Sequence, residues 1–245
     1  VSGGSESIDA AIRVAQLHHV ACGRHERHKV IGRDVSYHGA TIGALAVGSH
    51  DRRRKGLELT LPAMPKTSHH DPEQLEKIIE IEGAHTISAF VGEPVIGAAA
   101  GAYVPPDDYW PTVSEICARH DILVIADEVM TGFGRLGTKM GHEALDFTSD
   151  IIAAGKGLGG GYVPIGGVYT RADVVEPIGN TDLALMFYTF AGHDLCCAVS
   201  RKVLQILREE NLVERAEIMG TFLRDRLDAE FGEHPNVEEV RGRGL

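Results

Sequence analysis

The sequence predicts an α/β protein of three layers, in which a mostly parallel sheet is flanked by helices on both faces. Apolar runs of strand length alternate with amphipathic segments of helix length along the 245 residues, as in sheets built from strand–helix–strand units. Two of the runs, "ILVIA" and "IIAA", are apolar at every position, which is typical of parallel strands buried on both faces. No internal repeat or low-complexity tract interrupts the pattern, so a single domain of this class is expected.

The predicted elements follow one another along the chain. The first is a helix over Ser5–Cys22, with apolar residues at three-to-four spacing behind a serine-rich turn. Strands are predicted in "KVIGRDVSYHG", "HTISAFVGEP", "ILVIADEV", "DIIAAGK" and "PIGGVYT". The other predicted helices are Asp71–Glu82, with Pro72 in its first turn, Asp107–His120, His193–Glu210 and Leu212–Phe231.

Charge and composition argue against several functions. The formal net charge is −11, so binding to nucleic acid or to an anionic membrane would need a strong local basic patch. The only basic run is "RRRK" at Arg52–Lys55, which is more typical of a solvated surface. No apolar run has the length of a membrane span. The four cysteines show no CxxC spacing, and we expect them to be reduced packing residues of a cytoplasmic protein.

Three of the predicted strands end in ionisable residues. Glu93 follows "ISAFVG", Asp127 and Glu128 follow "ILVIA", and Lys156 follows "IIAAG". Ligands of open α/β sheets bind outside the carboxyl ends of the strands, so we expect these side chains to converge there on a site. The glycine-rich, apolar surroundings predict a partly buried lysine, whose pKa desolvation would lower. A buried ion pair between Asp127 and Lys156 is the purely structural alternative, although such pairs stabilise weakly.

The sequence around Lys156 separates three kinds of lysine chemistry. A phosphate-binding loop of the form GxxxxGK[ST] is excluded, because Asp150 replaces its first glycine and Gly157 replaces its Ser or Thr. A metal site is not supported, because "HEALD" lacks the second histidine of HExxH. The remaining candidate is a Schiff-base nucleophile. A Schiff-base lysine with an aspartate indicates pyridoxal 5′-phosphate (PLP), whose ring nitrogen needs an acidic partner.

Two further motifs fit such a cofactor. "SGGSES" before the first helix can bind a phosphate, because glycines expose backbone N–H groups, serines donate hydroxyls, and the helix N-terminus attracts an anion. "SYHG" offers Tyr37 and His38 as a platform for a flat ring. Either motif alone is weak evidence for a cofactor site. A Gly/Ser turn before a helix is often an ordinary N-cap, and a lone aromatic residue in a loop is more often a packing residue.

The sequence resembles the class III PLP-dependent aminotransferases, which include ω-amino-acid, ornithine and 4-aminobutyrate aminotransferases. The matching segments are "SGGSES", "SYHG", "GEPV", "ADEVMTGFGR", "GKGLGGGYVPIGGV" and "TFAGH", in the family's order across nearly the whole chain. The resemblance implies the large domain of the fold type I PLP-dependent transferases. It implies that Lys156 holds the cofactor as a Schiff base and that Asp127 pairs with its ring nitrogen. Val129 then packs on one ring face and Tyr37 or His38 on the other.

The resemblance also implies which residues bind the phosphate of the cofactor and how the subunits assemble. It implies that Gly4 and Ser5 hold the phosphate and that Glu93 lies near the cofactor or substrate. Thr189 of "TFAGH" is implied to reach the phosphate bound by the neighbouring subunit, in a homodimer or a dimer of dimers.

Three positions depart from the family pattern. Ser7 stands where alanine is usual, and we expect a surface or capping change. Met130 stands where several members have a glutamine that bonds the phenolic oxygen of the cofactor, and Asp194 replaces a common proline.

The implied organisation is a large PLP-binding domain over residues 1–235, without its N-terminal segment. Residues 236–245 are expected to begin a C-terminal small domain, which commonly carries the arginine for the substrate carboxylate. The implied activity is the transfer of an amino group from an amino acid or ω-amino compound to a 2-oxo acid. Aminomutase, epimerase and decarboxylase activities share this cofactor machinery, and a non-catalytic protein of the same fold is a further alternative. The motifs do not specify the donor or the acceptor.

Overall fold

Six strands form a single sheet in the computed structural model, which describes residues 1–245. The order across the sheet is β2-β1-β3-β4-β5-β6. All neighbours are parallel except β6, which runs antiparallel to β5. The predicted, mostly parallel sheet is therefore confirmed. The strands are β1 Lys29–Arg33, β2 Lys66–Thr67, β3 Ile87–Gly92, β4 Leu123–Asp127, β5 Ile151–Ala154 and β6 Gly167–Thr170.

The helices lie on the two faces of the sheet and beyond its β6 edge. The α-helices are α1 Gly4–Ala21, α2 Ile42–Val47, α3 Asp51–Arg54, α4 Gln74–Glu82, α5 Tyr109–Arg119, α6 Gly141–Ala144, α7 Ala172–Gly179, α8 Asp194–Glu209 and α9 Leu212–Phe231. Short 3-10 turns occupy Glu58–Thr60, Ala84–Thr86 and Lys156–Gly159. None of these helices is both long and apolar enough to cross a membrane.

The core consists of two apolar layers, one on each face of the sheet. Because side chains alternate along a strand, neighbours such as Ala89 and Phe90 in β3 point into opposite layers. One layer joins the strands to α1, α2 and α7, and the other joins them to α4 and α5. All five residues of β4 are buried, as predicted for a strand covered on both sides, whereas Ile152 of β5 is half-buried. All six residues of β3 are buried as well.

Five elements were not predicted from the sequence. β2 has only two residues, and α2, α3 and α6 have four to six, so none is long enough to repeat its pattern. α7 contains Pro177, and a proline inside a segment argues against a helix, although the segment is otherwise amphipathic. Contacts with distant segments stabilise three of them, since α2 and α7 pack on the long helix α1 and β2 pairs with β1.

Parallel strand direction places the carboxyl ends of β1, β3, β4 and β5 on one edge of the sheet. The start of α1 is fixed to this edge by Ser7, whose hydroxyl donates to the carbonyl of Ala154 at 2.7 Å. Ser7 is fully buried, so the expectation of a surface or capping change was wrong. The sequence could not reveal this, because the contact joins residues 147 positions apart.

Residues 232–245 contain no helix or strand. Arg241 attaches this segment to the loop after β3, donating to the carbonyls of Ala100 at 2.6 Å and Gly101 at 3.0 Å. The domain boundary expected between residues 235 and 236 stays a prediction.

Candidate active site

The carboxyl edge of the sheet carries a cavity of about 150 Å³. Of the nine residues predicted to bind a cofactor, eight line this cavity and Thr189 does not. The lining residues are Gly4, Ser5, Tyr37, His38, Gly39, Glu93, Asp127, Val129, Met130 and Lys156. A larger cavity, of about 430 Å³, lies between α9 and the C-terminal segment and shares Met130 with the first. It contains no lysine and no strand-end carboxylate, so the smaller cavity is the candidate site.

Lys156 begins the turn that follows β5 and adopts an unusual backbone conformation. Its φ is 34°, in the left-handed region that residues with a Cβ rarely occupy. The neighbouring Gly155 is buried, and a side chain there would come within 3.4 Å of Gly4. The chain thus turns sharply beside the start of α1 and presents the lysine at the cavity. Backbone strain concentrated at one cavity-lining residue is typical of functional sites.

The expectation that Lys156 is partly buried was wrong, because the residue is exposed. The apolar run and the glycines correctly indicate a strand followed by a turn. They do not fix the direction of the side chain, which the turn directs to the open side of the cavity. The alternative of an ion pair between Lys156 and Asp127 is also contradicted, because Asp127 pairs with His38 instead.

Asp127, at the end of β4, is almost fully buried, and its two oxygens have different partners. Oδ2 lies 2.7 Å from Nδ1 of His38. Oδ1 accepts the backbone N–H of Val129 at 3.1 Å. These contacts hold the carboxylate in one orientation, and its free lone pairs can still accept a hydrogen bond from a ligand. The Nε2 atom of His38 is buried without a hydrogen-bond partner.

Glu93, at the end of β3, joins two loops. Its Oε1 accepts the backbone N–H of Tyr37 at 3.0 Å, and its Oε2 accepts that of Gly97 at 3.1 Å. Burial raises the pKa of the Glu93 carboxyl, and the nearby Asp127 carboxylate adds to the rise. Glu93 therefore shapes the wall of the cavity with both of its oxygens occupied by the protein.

Glu128 does not belong to the cavity, although it follows Asp127 directly. Its carboxylate accepts hydrogen bonds from the backbone N–H groups of Gly141 at 2.8 Å and His142 at 2.7 Å. It also accepts the hydroxyl of Thr131 at 2.5 Å. Adjacent residues of a strand point to opposite faces, so only one of this pair can reach the ligand. The expectation that both acids converge on the site holds for Asp127 alone.

The first turn of α1 forms one wall of the cavity through Gly4 and Ser5. The first N–H groups of a helix have no acceptor within it, so they are available to a ligand. A side chain at Gly4 would lie 2.7 Å from a methyl carbon of Val129, which shows how closely the backbone approaches that residue. The hydroxyl of Ser5 accepts the N–H of Ala40 at 3.0 Å and thereby fixes the loop after His38.

Tyr37 and His38 were predicted as alternative ring platforms. Both residues line the cavity, but His38 is buried and bonded to Asp127, whereas Tyr37 is half-buried. Which of the two covers a ring stays a prediction. The guanidinium of Arg53 lies over the Tyr37 ring, 4.4 Å from its centroid, a contact that the sequence did not reveal.

Arg33, at the end of β1, was also missed. It is fully buried beneath the cavity wall, donates to the carbonyl of Glu93, and lies over the rings of Tyr109 and Trp110 at 5.8 and 5.4 Å. A basic residue at the carboxyl end of a predicted strand is the sequence signal that could have found it. Its charge lies near Glu93 and opposes the rise in the pKa of that carboxyl.

Four other expectations concern residues outside the cavity. Thr189 is exposed in an irregular segment. All four cysteines are free, but only Cys117 is buried, so the packing role holds for that residue alone. Arg52 and Lys55 are exposed, as predicted for the basic run, whereas Arg54 donates to backbone carbonyls at the end of α2. No group of three or more His, Cys, Asp or Glu side chains is arranged to hold a metal ion.

The fold and the cavity define a class of protein in which a lysine, a buried aspartate and a helix N-terminus line one cavity at the edge of an α/β sheet. The chain belongs to the class III aminotransferase family, because the family model "Aminotransferase class-III" matches residues 1–245. The family predicted from the motifs is therefore confirmed.

Two relatives illustrate the range of the family. The chain is 34% identical over 260 residues to a putrescine–pyruvate aminotransferase of Pseudomonas aeruginosa, covering 99% of this chain and 57% of that protein. It is 34% identical over 266 residues to a chloroplastic gamma aminobutyrate transaminase 3 of Solanum lycopersicum, covering 100% of this chain and 51% of that protein. The chain thus spans little more than half the length of these relatives.

Solved structures show the same fold. A thermostable (S)-enantioselective omega-transaminase from Thermomicrobium roseum matches with a TM-score of 0.95 and 38% identity, over 100% of this chain and 58% of that one. An amine transaminase from an uncultivated Pseudomonas species, solved in a PLP-bound form, matches with a TM-score of 0.94 and 34% identity, over 100% of this chain and 60% of that one. These matches confirm the predicted fold class.

Proposed function

We propose that the protein is a PLP-dependent aminotransferase that moves an amino group from an amino acid or ω-amino compound to a 2-oxo acid. The observation that carries the proposal is the meeting of Lys156, Asp127 and the start of α1 in one cavity. These groups come from three elements that are far apart in the sequence. Membership of the class III aminotransferase family supports the same function.

The cavity fits PLP in the chemistry of its walls. The first turn of α1, with Gly4 and Ser5, offers N–H and hydroxyl donors to a phosphate. Asp127 offers a fixed acceptor to the N–H of a pyridinium ring. Val129 and Tyr37 offer an apolar and an aromatic side chain to the faces of that ring. A side chain at Gly39 would collide with Ser5 at 2.5 Å, so the backbone there leaves no space for a larger residue.

In this proposal each residue has a definite task. PLP, when bound, supplies the electron-withdrawing ring and the carbon that receives the amino group. Lys156 anchors the cofactor, and its Nζ is the only amine lining the cavity, so it moves protons to and from the substrate carbon. His38 orients Asp127, whose negative charge keeps the ring nitrogen protonated. Glu93 fixes the loop that carries Tyr37.

We further propose that the protein works as a homodimer or a dimer of dimers, with Thr189 completing the phosphate site of the neighbouring subunit. The segment around Thr189 exposes large apolar side chains, among them Phe187 at 96% and Phe190 at 68% exposure. Such a surface is typical of a protein interface. Residues 1–235 form the large PLP-binding domain in this proposal. A cytoplasmic location remains a prediction.

Cofactor attachment tests the proposal directly. The protein is mixed with PLP, reduced with borohydride and digested, and the modified peptide is identified by mass spectrometry. We expect a visible absorbance band before reduction and a label on the peptide that contains Lys156. Lys156→Ala should lose both signals, whereas Lys77→Ala, at an exposed lysine of α4, should keep both. An equal yield of reduced adduct from Lys156→Ala would contradict the assignment.

Dependence on a 2-oxo acid tests the type of reaction. An aminotransferase turns over repeatedly only when an acceptor regenerates the cofactor. The protein is supplied with single amino donors, with and without a panel of 2-oxo acids that includes pyruvate and 2-oxoglutarate. Continued turnover without any acceptor would instead identify an aminomutase, epimerase or decarboxylase.

A further inference from the structure

The basic run "RRRK" is divided by the fold into residues with different surroundings. Arg52 and Lys55 are exposed. Arg54 is half-buried and donates to the carbonyls of Leu45, Ala46 and Gly48, at 3.3 Å for Ala46 and 2.8 Å for Gly48. The three carbonyls lie at the end of α2, where unpaired carbonyls and the helix dipole favour a cation. Arg54 therefore fixes the short helix α3 against α2.

Arg53 is held over Tyr37 by this anchoring. Its guanidinium lies 4.4 Å from the centroid of the Tyr37 ring, within the range of a cation–π interaction. The side chain of Arg53 makes no hydrogen bond and no ion pair, and the residue is exposed. The contact with Tyr37 is thus the specific interaction that the guanidinium makes.

Tyr37 is held from three sides. Its backbone N–H donates to Glu93 at 3.0 Å, its ring meets the edge of His50 at a centroid distance of 5.9 Å, and Arg53 occupies one ring face. An aromatic ring has only two faces. With one face taken by Arg53, a flat ligand in the cavity has one face of Tyr37 on which to stack.

We propose that Arg53 is a positioning residue, which holds the Tyr37 ring in the orientation that covers a cofactor bound in the cavity. This inference rests on the proposed function, because it assumes that the ligand is PLP. The physical basis is restriction of the ring. With Arg53 present, Tyr37 keeps one orientation before the cofactor arrives, so less conformational freedom is lost on binding.

The test is a double-mutant cycle on cofactor affinity, measured as the dissociation constant of PLP by absorbance titration. Arg53→Ala should weaken binding about two- to fivefold, the value expected of an exposed cation–π contact. Arg53→Met, which keeps the aliphatic stem, should weaken it equally, and Arg53→Lys should restore most of the affinity. Arg52→Ala, at the exposed neighbour, should leave the affinity unchanged.

The decisive comparison uses Tyr37→Ala as the background. If Arg53 acts through the ring, Arg53→Ala has no further effect once Tyr37 is alanine. An equal loss in both backgrounds means that the guanidinium acts on the cofactor by its charge alone, and it overturns the proposal. The proposal is also overturned if Arg53→Ala, with Tyr37 retained, binds PLP as tightly as the unsubstituted protein. If the unsubstituted protein forms no reducible adduct with PLP, the proposed function fails first, and this outcome is distinct from both others.

Discussion

The Nδ1 atom of His38 lies 2.7 Å from Oδ2 of Asp127, and both side chains are buried. The histidine comes from the loop after β1 and the aspartate from the end of β4, so one hydrogen bond joins two walls of the cavity. Asp127 depends on this bond for its orientation, since its other oxygen is held only by the N–H of Val129. His38 is therefore a positioning residue for the proposed partner of the cofactor ring.

Two substitutions of His38 distinguish the roles of its two ring nitrogens, Nδ1 and Nε2. Asparagine places an amide N–H where Nδ1 lies, whereas glutamine reaches the position of Nε2. We expect His38→Asn to keep most of the PLP affinity. His38→Gln should weaken binding, because Asp127 loses the donor that holds its carboxylate in one orientation before the cofactor binds. Equal dissociation constants for the two variants would contradict the role assigned to Nδ1.

The glycines at the start of α1 offer a second, matched comparison. A side chain at Gly4 would lie 2.7 Å from one methyl carbon of Val129 and 3.0 Å from the other. A side chain at Gly3, the residue before the helix, would meet nothing within 4 Å. Gly4→Ser should therefore displace Val129 or the first turn of α1, both of which line the cavity, and weaken PLP binding. Gly3→Ser should bind normally, with the free energy of unfolding unchanged or slightly raised, because serine caps helices well.

The sequence predicts the frame of this site better than its details. Strands β3, β4 and β5 are recognisable because they are apolar at nearly every position, and parallel strands necessarily bring Glu93, Asp127 and Lys156 to one edge. The directions of these side chains depend on contacts between distant segments. Lys156 is exposed at a left-handed turn, with φ of 34°, and Gly155 beside it packs on the start of α1, a segment about 150 residues earlier in the chain.

Residues that support the site are the hardest to predict. Ser7 is one hydroxyl in a serine-rich turn, and only the approach of α1 to Ala154 makes it a buried donor. Arg53 belongs to a basic run whose composition is typical of a solvated surface. Its position over Tyr37 follows from the hydrogen bonds of Arg54, which no local pattern encodes.

The burial of His19 predicts how the free energy of unfolding depends on pH. It is fully buried in α1, and its Nε2 lies 2.9 Å from the carbonyl of Ser88. Burial lowers the pKa of His19 to about 4, from 6.5 in an exposed histidine. Between these values the unfolded chain binds a proton that the folded chain does not. The free energy of unfolding therefore falls as the pH drops through this window, by about 2 kcal/mol between pH 7 and pH 5 from this residue.

Urea unfolding at pH 7 and pH 5 measures this contribution. His19→Gln cannot titrate and can still donate to Ser88, so it should lose about 2 kcal/mol less than the unsubstituted protein over this interval. His25→Gln removes an exposed histidine and should leave the pH dependence unchanged. If both variants lose as much stability as the unsubstituted protein, burial of His19 is not the cause.

The last prediction concerns Thr189, the one proposed site residue outside the cavity. If its hydroxyl binds the phosphate held by the partner, Thr189→Ala should weaken PLP binding about ten- to a hundredfold, as expected for the loss of a hydrogen bond to a charged group. Chains carrying Thr189→Ala are then mixed with chains carrying Lys156→Ala. The PLP concentration is kept too low for dimers of Thr189→Ala alone to bind it. A shared site places both defects in one half of the heterodimer and leaves the other half intact. Random pairing makes half of the dimers mixed, so about a quarter of the sites should be active. Different affinity tags on the two chains verify that heterodimers form. If they form and no activity returns, Thr189 serves its own chain, and the proposed crossing of the interface is wrong.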